Sequence, residues 1–420
     1  MSTPIHDYLA LALDSIEYDE EGKVADYIPA LAQANPEHKA IGLCTSHGRI
    51  YCAGDAEHEF SMQSVSKPFA YALALEERGL QAVLETVGVE PSGEAFNELS
   101  LDTPTNRPVN PMINAGAIAI NQLINGEDST IEERVEKILS QFSRLAGREL
   151  SVDMAVAYSE LDSSDRNFAI AHMLRSYGII GDDAHDAVVS YVYQCSINVT
   201  VRDLAVMAAT LSNGGVQPLT GEQVVSEDVC HQTLAVMASA GMYDAAGRWM
   251  TSVGIPAKSG VSGGMMGCLP GQLGIATFSP PLDVNGNSVL GRKVFQRLSR
   301  DWGLHLMSTD RRGVHAVREL VQEGDISLLK LQGTLNFSAG EAFLHAMRTR
   351  EIRGPLFAVD ISRVISLAPV AERMLLEGLR RVREEGHRVM IIDPDSQVDQ
   401  SSLSGEECFE VVTDIGLIRR

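Results

Sequence analysis

The sequence predicts an α+β protein in two parts, a larger helical unit with an antiparallel sheet and a smaller α/β unit after it. The chain has 420 residues, more than a single hydrophobic core usually organises. Helical periodicity alternates with glycine and proline turns over residues 23–310, whereas residues 311–420 alternate short strands with helices. Residues 1–22 precede both units as an N-terminal extension.

The elements of the larger unit follow from apolar periodicity. Helices are predicted at 69–88 ("FAYALALEERGLQAVLETVG") and 201–215 ("VRDLAVMAATLSNGG"), because apolar residues recur every three or four positions. The stretch 40–54 ("AIGLCTSHGRIYCAG") alternates around a glycine turn and predicts a hairpin, and 264–279 ("GMMGCLPGQLGIATFS") predicts glycine-rich strands. These patterns indicate a helical body with an antiparallel sheet.

The elements of the smaller unit are shorter and alternate in type. Strands are predicted at 326–336 ("ISLLKLQGTLN"), 355–362 ("PLFAVDIS") and 388–393 ("RVMIID"). Helices are predicted at 338–349 ("SAGEAFLHAMRT") and 368–387 ("APVAERMLLEGLRRVREEGH"). The change in character places a domain boundary near residue 310.

Composition and charge restrict the class of function. Hydrophobic residues make up 45% of the chain and charged residues 21%, as in ordinary soluble globular proteins. The formal net charge of -22 disfavours binding to nucleic acid or to an anionic membrane, since both are polyanions. The start "MSTPIHDYLALALDSIEYDE" lacks the basic n-region of a signal peptide, so a cytoplasmic location is expected.

Cysteine and histidine spacing argues against a metal centre. The six cysteines show no CxxC spacing and predict buried free thiols; they are Cys44, Cys52, Cys195, Cys230, Cys268 and Cys408. The eleven histidines form no HExxH or paired-ligand pattern. We therefore expect neither a metal ion nor a cofactor.

The stretch "QSVSKPFAYALA" places Ser64 and Lys67 three residues apart where a helix is expected to begin near Ser64. Positions i and i+3 share one helix face, so the amine can reach the hydroxyl and act as its base. A neutral lysine requires a pKa lowered from about 10.4 to about 7, which corresponds to roughly 4 to 5 kcal/mol of differential interaction in a buried site. The alternative is an N-terminal cap beside a surface lysine.

A second element lies in "AKSGVSGG". Lys258, Ser259 and Gly260 match the Lys-Thr-Gly strand that accompanies Ser-x-x-Lys in β-lactamases, with one conservative change. A phosphate loop is excluded because Ala257 stands where a Walker A motif requires glycine. A plain glycine turn between strands is the alternative.

Ordered motifs from about residue 23 to 300 resemble a known family. They are "GKVADYIPALA", "QSVSKP", "VGVEPSGEAFN", "RPVNPMINAGAI", "YSELDSSDRNFAIA", "YVYQCSINVT", "MAATLSNGG", "GMYDAAGRW", "GIPAKSGVSGG" and "FSPPLDVNGNSV". Together they resemble the serine-dependent glutaminases, whose catalytic domain is β-lactamase/transpeptidase-like. The resemblance implies that L-glutamine is hydrolysed to L-glutamate and ammonia through a γ-glutamyl ester.

The resemblance also implies roles for individual residues. By this resemblance, Ser64 stands at the position of the family's nucleophile and Lys67 at the position of its activating partner. Tyr243 and Tyr27 match the family's tyrosines at the reacting centre. The implied substrate-binding residues are Gln63, Ser64, Asn114, Glu160, Asn167, Tyr191, Tyr243 and Val261.

These residue types suit the chemistry of free glutamine. The α-ammonium of glutamine needs an anion such as Glu160. The α-carboxylate needs hydrogen-bond donors, which other side chains among the implied substrate-binding residues supply. Two backbone N–H groups, of Ser64 at a helix start and Val261 on a glycine-rich strand, suit a developing oxyanion.

Each position also has a plain structural interpretation. Asn114 would cap the helix "AGAIAINQLI", and Glu160 and Asn167 would lie on a solvated turn. Tyr191 and Tyr243 would be core aromatics with satisfied hydroxyl groups. The ordered motifs favour the functional interpretation over this set of alternatives.

The smaller unit resembles a STAS domain, the module of sulphate transporters and anti-sigma-factor antagonists. The resemblance rests on "LLKLQGTLNFSAGEAFLHAM", "PLFAVDISRVISLAP" and "RVMIID" over about 315–420. Antagonist members carry a phosphorylated hydroxyl residue at the helix start after the Asp-x-Ser strand, where this chain has Ala368, Pro369 and Val370. A phosphorylation switch is therefore not expected, and Pro369 is interpreted as a helix opener.

Partners and rival functions remain to be distinguished. The STAS-like unit is expected either to contact another subunit or protein or to serve as a structural appendage, and a homo-oligomer, a dimer or tetramer, is expected. One rival is a β-lactam-binding serine enzyme, which would normally carry a signal peptide. The other is a regulatory protein that senses glutamine without turnover.

Overall fold

The computed structural model describes residues 4–16, 22–93, 98, 101–102, 104–126, 128–181, 183–308, 316–335, 337–349, 352–399, 409–414 and 416. The chain forms two compact units, Met1–Ser308 and Thr309–Arg420. The predicted boundary near residue 310 falls among residues 309–315, outside the described residues.

The first unit combines a helical body with an antiparallel sheet. Its helices are α1 Pro4–Asp14, α2 Pro29–Ala32, α3 Lys67–Thr86, α4 Asn114–Leu123, α5 Ile131–Ala146, α6 Met154–Leu161, α7 Asp165–Ser176, α8 Ala184–Cys195, α9 Val201–Ser212, α10 Glu227–Ala240, α11 Ala246–Ser252 and α12 Val289–Trp302. Its strands are β1 Ala40–Thr45, β2 Ile50–Gly54, β3 Phe60–Ser61, β4 Asn198–Val199, β5 Ala257–Ser259, β6 Gly264–Leu269 and β7 Leu273–Phe278.

The main sheet of this unit has the strand order β2-β1-β7-β6-β5. The predicted hairpin is confirmed, since Ala40 pairs with Gly54 and Cys44 with Ile50 in antiparallel register. The predicted glycine-rich strands are confirmed as β6 and β7, and β7 also pairs with β1. Helix α9 packs across the sheet, and β3 and β4 form a separate two-stranded sheet.

The start of the predicted helix 69–88 differs from the expectation. A 3-10 turn over Gln63–Ser66 comes first, and the α-helix begins at Lys67 rather than near Ser64. Gly79 adopts φ 75° and ψ 160° and kinks the helix. The first half of α3 is buried as far as Leu75, so this helix is a central element of the core that carries Ser64 and Lys67 at its start.

The N-terminal segment contains a helix that composition alone did not predict. Leu9 and Leu13 on α1 are buried in a core cluster that also includes Phe295 of α12. Helix α1 contacts β2 and α12. The described part of the segment 1–22 is thus packed into the first unit.

The second unit is a mixed sheet with two helices. Its elements are β8 Val317–Glu323, β9 Ile326–Leu335, α13 Phe337–Thr349, β10 Leu356–Leu367, α14 Pro369–Glu384, β11 Arg388–Ile392 and β12 Glu410–Val412. The strand order is β12-β11-β10-β9-β8, parallel except for β8 against β9. The predicted strands and helices are confirmed, whereas β8 and β12 were not predicted and β10 runs five residues beyond Ser362 to Leu367.

Three observations concern membrane spans, metal binding and the state of the cysteines. In the part of the chain that the structure describes, no helix is long and apolar enough to cross a membrane. Among the same residues, no group of three or more His, Cys, Asp or Glu could hold a metal ion. The described cysteines are free thiols, with Cys52 half-buried and the others buried, and Cys408 lies outside the described residues.

Candidate active site

Ser64 lies in the 3-10 turn that precedes α3, and its side chain is almost completely buried. The preceding residue, Gln63, adopts a φ of 49°, a left-handed conformation that non-glycine residues seldom take. The turn after β5 packs against this segment at Gly260, where an added Cβ would lie 2.7 Å from the Met62 carbonyl oxygen. Glycine at this position lets the two backbones approach closely.

Lys67 is buried at the start of α3 with 1% of its surface exposed. Its Nζ donates hydrogen bonds to Asn114 Oδ1 at 2.7 Å and to the Met112 carbonyl oxygen at 3.1 Å. Burial lowers the pKa of Lys67 to about 7, against an opposing effect of Glu160. The expected direct bond to Ser64 does not occur among the described hydrogen bonds, because Asn114 and Met112 hold the amine.

Tyr243 faces Ser64 from a short 3-10 turn over Tyr243–Ala245. Burial raises the pKa of Tyr243 against an opposing effect of the nearby Ser64 hydroxyl, so the phenol is neutral. The residue adopts a φ of 53°, a second left-handed conformation beside the serine. Nζ of the buried Lys258 lies 3.8 Å from the centroid of the Tyr243 ring.

Glu160, at the end of α6, is buried within the site with 8% of its surface exposed. Gln63 Nε2 donates a hydrogen bond to Glu160 Oε2 at 3.0 Å. Burial raises the pKa of Glu160 to about 7, although Gln63 and Lys67 act in the opposite direction. The solvated-turn interpretation of Glu160 is therefore wrong.

Asn114 and Asn167 form a second pair. Asn114 Nδ2 donates to Asn167 Oδ1 at 2.9 Å, while its Oδ1 accepts from Lys67. Asn114 is the first residue of α4, and no capping hydrogen bond of its side chain occurs within the described residues. Its amide instead connects the buried lysine to α7.

These side chains surround a small polar cavity of about 70 Å³. Its lining consists of Tyr27, Ile28, Gln63, Ser64, Asn114, Glu160, Ser163, Ser164, Asn167, Tyr191, Cys195 and Val261. Tyr191 is buried, whereas Tyr27 is 52% exposed and lies at the edge of the site rather than inside it. A wider cavity of about 450 Å³ adjoins it, sharing Tyr27 and Val261 and reaching Tyr243.

Two backbone N–H groups border this cavity. Val261 lies in the turn between β5 and β6, not on a strand as expected. Within the described residues, no protein acceptor is hydrogen-bonded to the backbone N–H of Ser64 or of Val261. Both groups are therefore available to an oxyanion that develops next to the Ser64 hydroxyl.

Sequence reasoning missed several residues of the site. Lys258 was noted only as a motif and proves to be buried against Tyr243, with Nζ donating to the Ser259 carbonyl oxygen at 2.8 Å. The Ser259 hydroxyl donates to Asn287 Oδ1, which ties β5 to the segment before α12. Cys195 lines the cavity, and its spacing of four residues from Tyr191 on α8 was the available signal.

The arrangement defines a class of site. A buried serine, a lysine with a pKa near 7, two available backbone N–H groups and a small polar cavity are the parts that acyl transfer from a small amide requires. The Glutaminase family model matches residues 22–307. The chain belongs to the Glutaminase family, which confirms the resemblance at that level.

Curated relatives and solved structures agree with this assignment. Glutaminase from Corynebacterium glutamicum is 58% identical over 413 residues, 98% of this chain and 100% of that one. Glutaminase from Corynebacterium efficiens is 58% identical over 395 residues, 94% of this chain and 93% of that one.

Two solved structures illustrate the similarity in fold. The structure of Mglu in its tris and glutamate form is 43% identical, covers 95% of this chain and 100% of that one, and has a TM-score of 0.88. A Bacillus glutaminase is 32% identical with a TM-score of 0.65, and covers 72% of this chain but 99% of that one.

Proposed function

We propose that this chain hydrolyses L-glutamine to L-glutamate and ammonia, with Ser64 as the nucleophile. The observation that carries the proposal is the small polar cavity lined by Ser64 and Glu160, next to the buried amine of Lys67. Membership of the Glutaminase family supports the substrate, and a glutamate-bound form of Mglu supports it by similarity.

The proposed reaction proceeds through a γ-glutamyl ester. Ser64 Oγ attacks the side-chain amide carbon of glutamine while its proton passes to the Lys67 amine, through or beside the Tyr243 hydroxyl. The oxyanion is stabilised by the backbone N–H groups of Ser64 and Val261. The C–N bond breaks, ammonia leaves with the returned proton, and water then cleaves the ester to release glutamate.

Recognition of the α-amino acid group is assigned to polar side chains that line the cavity. The Glu160 carboxylate pairs with the α-ammonium, and the amides of Asn114 and Asn167 with the Tyr191 hydroxyl serve the α-carboxylate. Tyr27, which lines the cavity and is half exposed, is assigned to the entrance of the site. The small volume favours a free amino acid over a glutamine residue within a peptide.

A panel of amides tests this proposal. Ammonia release is measured by a coupled assay with L-glutamine, L-asparagine, D-glutamine and a glutamine-containing tripeptide. We expect turnover of L-glutamine and no turnover of the tripeptide. Binding of glutamine without release of ammonia would contradict an enzymatic function, and hydrolysis of a chromogenic β-lactam in place of glutamine would favour the β-lactam enzyme.

The domain assignments are part of the same proposal. Residues 23–310 are assigned a β-lactamase-like glutaminase domain and residues 311–420 a STAS-like domain. The parallel strands β9, β10 and β11 with two helices support the second assignment. We assign the protein to the cytoplasm as a homo-oligomer, in which the STAS-like domain contacts another subunit or protein, and light scattering of the purified chain tests the assembly.

A further inference from the structure

The cavity of about 450 Å³, which we call the wide cavity, adjoins the small polar cavity through the shared residues Tyr27 and Val261. Its volume lies within the range of about 300 to 1,000 Å³ that is usual for small-molecule sites. Hydrolysis of glutamine involves only water and ammonia besides the substrate itself, and neither needs a space of this size. The wide cavity therefore offers room for a group larger than ammonia beside the site.

The reacting centre lies where the two cavities meet. Ser64 lines the small cavity, and Tyr243 lines the wide one. The centroid of the Tyr243 ring lies 5.6 Å from Nζ of Lys67, the proposed base. Since the α-amino acid group is assigned to the small cavity, a substituent on the side-chain nitrogen of glutamine would extend into the wide cavity.

One wall of the wide cavity is held in place by hydrogen bonds. Lys23 and Leu282 exchange two backbone hydrogen bonds, at 3.1 and 2.8 Å, which join the chain before α2 to the turn before α12. Asp283 fixes that turn, because its Oδ1 accepts from the backbone N–H groups of Asn285 and Asn287 at 2.9 and 3.1 Å. The wall is thus formed before any ligand binds.

The same wall presents aliphatic side chains to the wide cavity. Ala25 and Leu282 line it and are buried, and Val24 lines it and is half-buried. Apolar surface of this kind is stabilised when an apolar group displaces water from it. The wall therefore favours an aliphatic substituent on the nitrogen.

The charged groups of the wide cavity disfavour an anionic substituent. Asp26 and Asp244 line the cavity, are exposed and form no ion pair within the part of the chain that the structure describes. Lys23 supplies one opposing charge, and Oδ2 of Asp283 lies 3.6 Å from Nε of Arg292. The remaining excess of negative charge repels a carboxylate and leaves a neutral alkyl chain unaffected.

We propose that the wide cavity is a leaving-group subsite and that the chain also hydrolyses L-γ-glutamyl alkylamides, in which the side-chain nitrogen of glutamine carries a short aliphatic chain. The inference rests on the proposed function and extends its substrate class. Ser64 Oγ attacks the γ-carbonyl carbon, the C–N bond breaks, and the alkylamine leaves with the returned proton in place of ammonia. Water then cleaves the ester and releases glutamate.

A series of substrates tests the inference in the full-length chain. Release of glutamate, measured with glutamate dehydrogenase, gives kcat and KM for L-glutamine and for the methyl-, ethyl-, propyl- and butylamides of L-γ-glutamate. We expect KM to fall about two- to fourfold with each added methylene, because burying one methylene contributes about 0.8 kcal/mol. L-γ-glutamyl-4-aminobutanoate ends the same chain in a carboxylate, and its kcat/KM should be at least about fivefold below that of the butylamide.

Val24→Phe tests the location of the subsite. Val24 lines the wide cavity and not the small one, so the larger ring takes up room only where the alkyl chain is assigned. We expect kcat/KM for the butylamide to fall about tenfold and that for L-glutamine to stay within about twofold of wild type. Val321→Phe, at a half-buried valine on β8 of the second unit, is the matched control and should leave both unchanged.

A second substitution covers the case in which circular dichroism shows that Val24→Phe is unfolded. Val24→Ser replaces part of the aliphatic wall with a hydroxyl group and adds no bulk. It should reduce the fall in KM per added methylene to less than about twofold, because less apolar surface contacts the chain.

The outcomes separate this inference from the proposed function. A folded wild-type chain that releases no glutamate from L-glutamine would contradict the proposed function. If L-glutamine is hydrolysed, failure to release glutamate from any of the alkylamides would overturn the leaving-group subsite. A ratio of butylamide to glutamine activity that is unchanged in folded Val24→Phe, or an unchanged dependence on chain length in Val24→Ser, would also overturn it.

Discussion

At the residue scale, burial sets the ionisation of the two groups that the proposed reaction depends on. Burial disfavours the charged form of each, so the pKa of Lys67 falls to about 7 and the pKa of Glu160 rises to about 7. An amine that is neutral near physiological pH can accept the Ser64 proton. The same environment makes the binding carboxylate sensitive to pH.

The pH profile of kcat/KM should reflect both groups. Below pH about 7, Lys67 is protonated and cannot act as a base, and Glu160 is protonated and cannot pair with the α-ammonium. We expect log kcat/KM to rise with pH, with a slope approaching two below pH about 6. In Glu160→Gln the slope should fall to one. A profile that is flat from pH 5 to 8 would exclude these assignments.

Glu160→Gln also tests recognition of the α-ammonium. The new side-chain amide retains an acceptor for Gln63, so the fold should persist, while the charge-assisted bond to the substrate is lost. We expect KM for L-glutamine to rise about 10- to 100-fold, corresponding to roughly 1.5 to 3 kcal/mol. Turnover of 4-carbamoylbutanoate, which lacks the ammonium group, is the control and should change little. Equal losses on both substrates would give Glu160 another role.

The identities of the site residues could be predicted from the sequence, but their connections could not. The motifs pointed to Ser64, Lys67 and Asn114, and all three lie together. The hydrogen bond of Lys67 to Asn114 rather than to Ser64 depends on how α4 packs beside α3. This packing is a long-range contact, and no local sequence pattern predicts it. The exposure of Tyr27 depends likewise on the final position of the chain before α2.

At the element scale, the site is formed where the turn after β5 meets the 3-10 turn before α3. Gly260→Ala would place a Cβ 2.7 Å from the Met62 carbonyl oxygen. The turn that carries the Val261 N–H group would then move away from Ser64. We expect kcat to fall by about tenfold to a hundredfold, because sub-ångström shifts at the reacting centre are costly. Circular dichroism establishes that the variant is folded.

Gly247→Ala is the matched control for this substitution. Gly247 lies in α11, its added Cβ would meet no atom within 4 Å, and alanine is the better helix former. It should therefore keep full activity and a similar or higher Tm. Equal activity of the Gly260→Ala and Gly247→Ala proteins would show that the close approach at Gly260 is unimportant.

Periodicity predicted the regular elements well and the irregular ones poorly. The hairpin β1–β2 and helices α9 and α14 carry clear alternation or helical spacing. Strand β8, with the sequence "VRELVQE", is polar and only partly buried at a sheet edge, so its pattern is weak. The left-handed residues Gln63 and Tyr243 could not be foreseen, because tertiary packing imposes that conformation.

At the scale of the whole molecule, all the residues of the site belong to the first of the two units. The core clusters of that unit contain none of the described residues of the second. A protein of residues 1–308 should therefore fold and hydrolyse glutamine with kcat/KM within about threefold of the full chain, since separate cores fold independently. Light scattering of both proteins measures the effect on assembly. A folded but inactive 1–308 protein would mean that the second unit completes the site.

The most direct test of the whole account is the rate of ammonia release from saturating L-glutamine by wild type and by Ser64→Ala. Wild type should turn over, and Ser64→Ala should be at least about a thousandfold slower while remaining folded, because the covalent step has lost its nucleophile. Ser46→Ala, in the turn between β1 and β2, is the control and should match wild type. Activity of Ser64→Ala within tenfold of wild type would contradict the central claim.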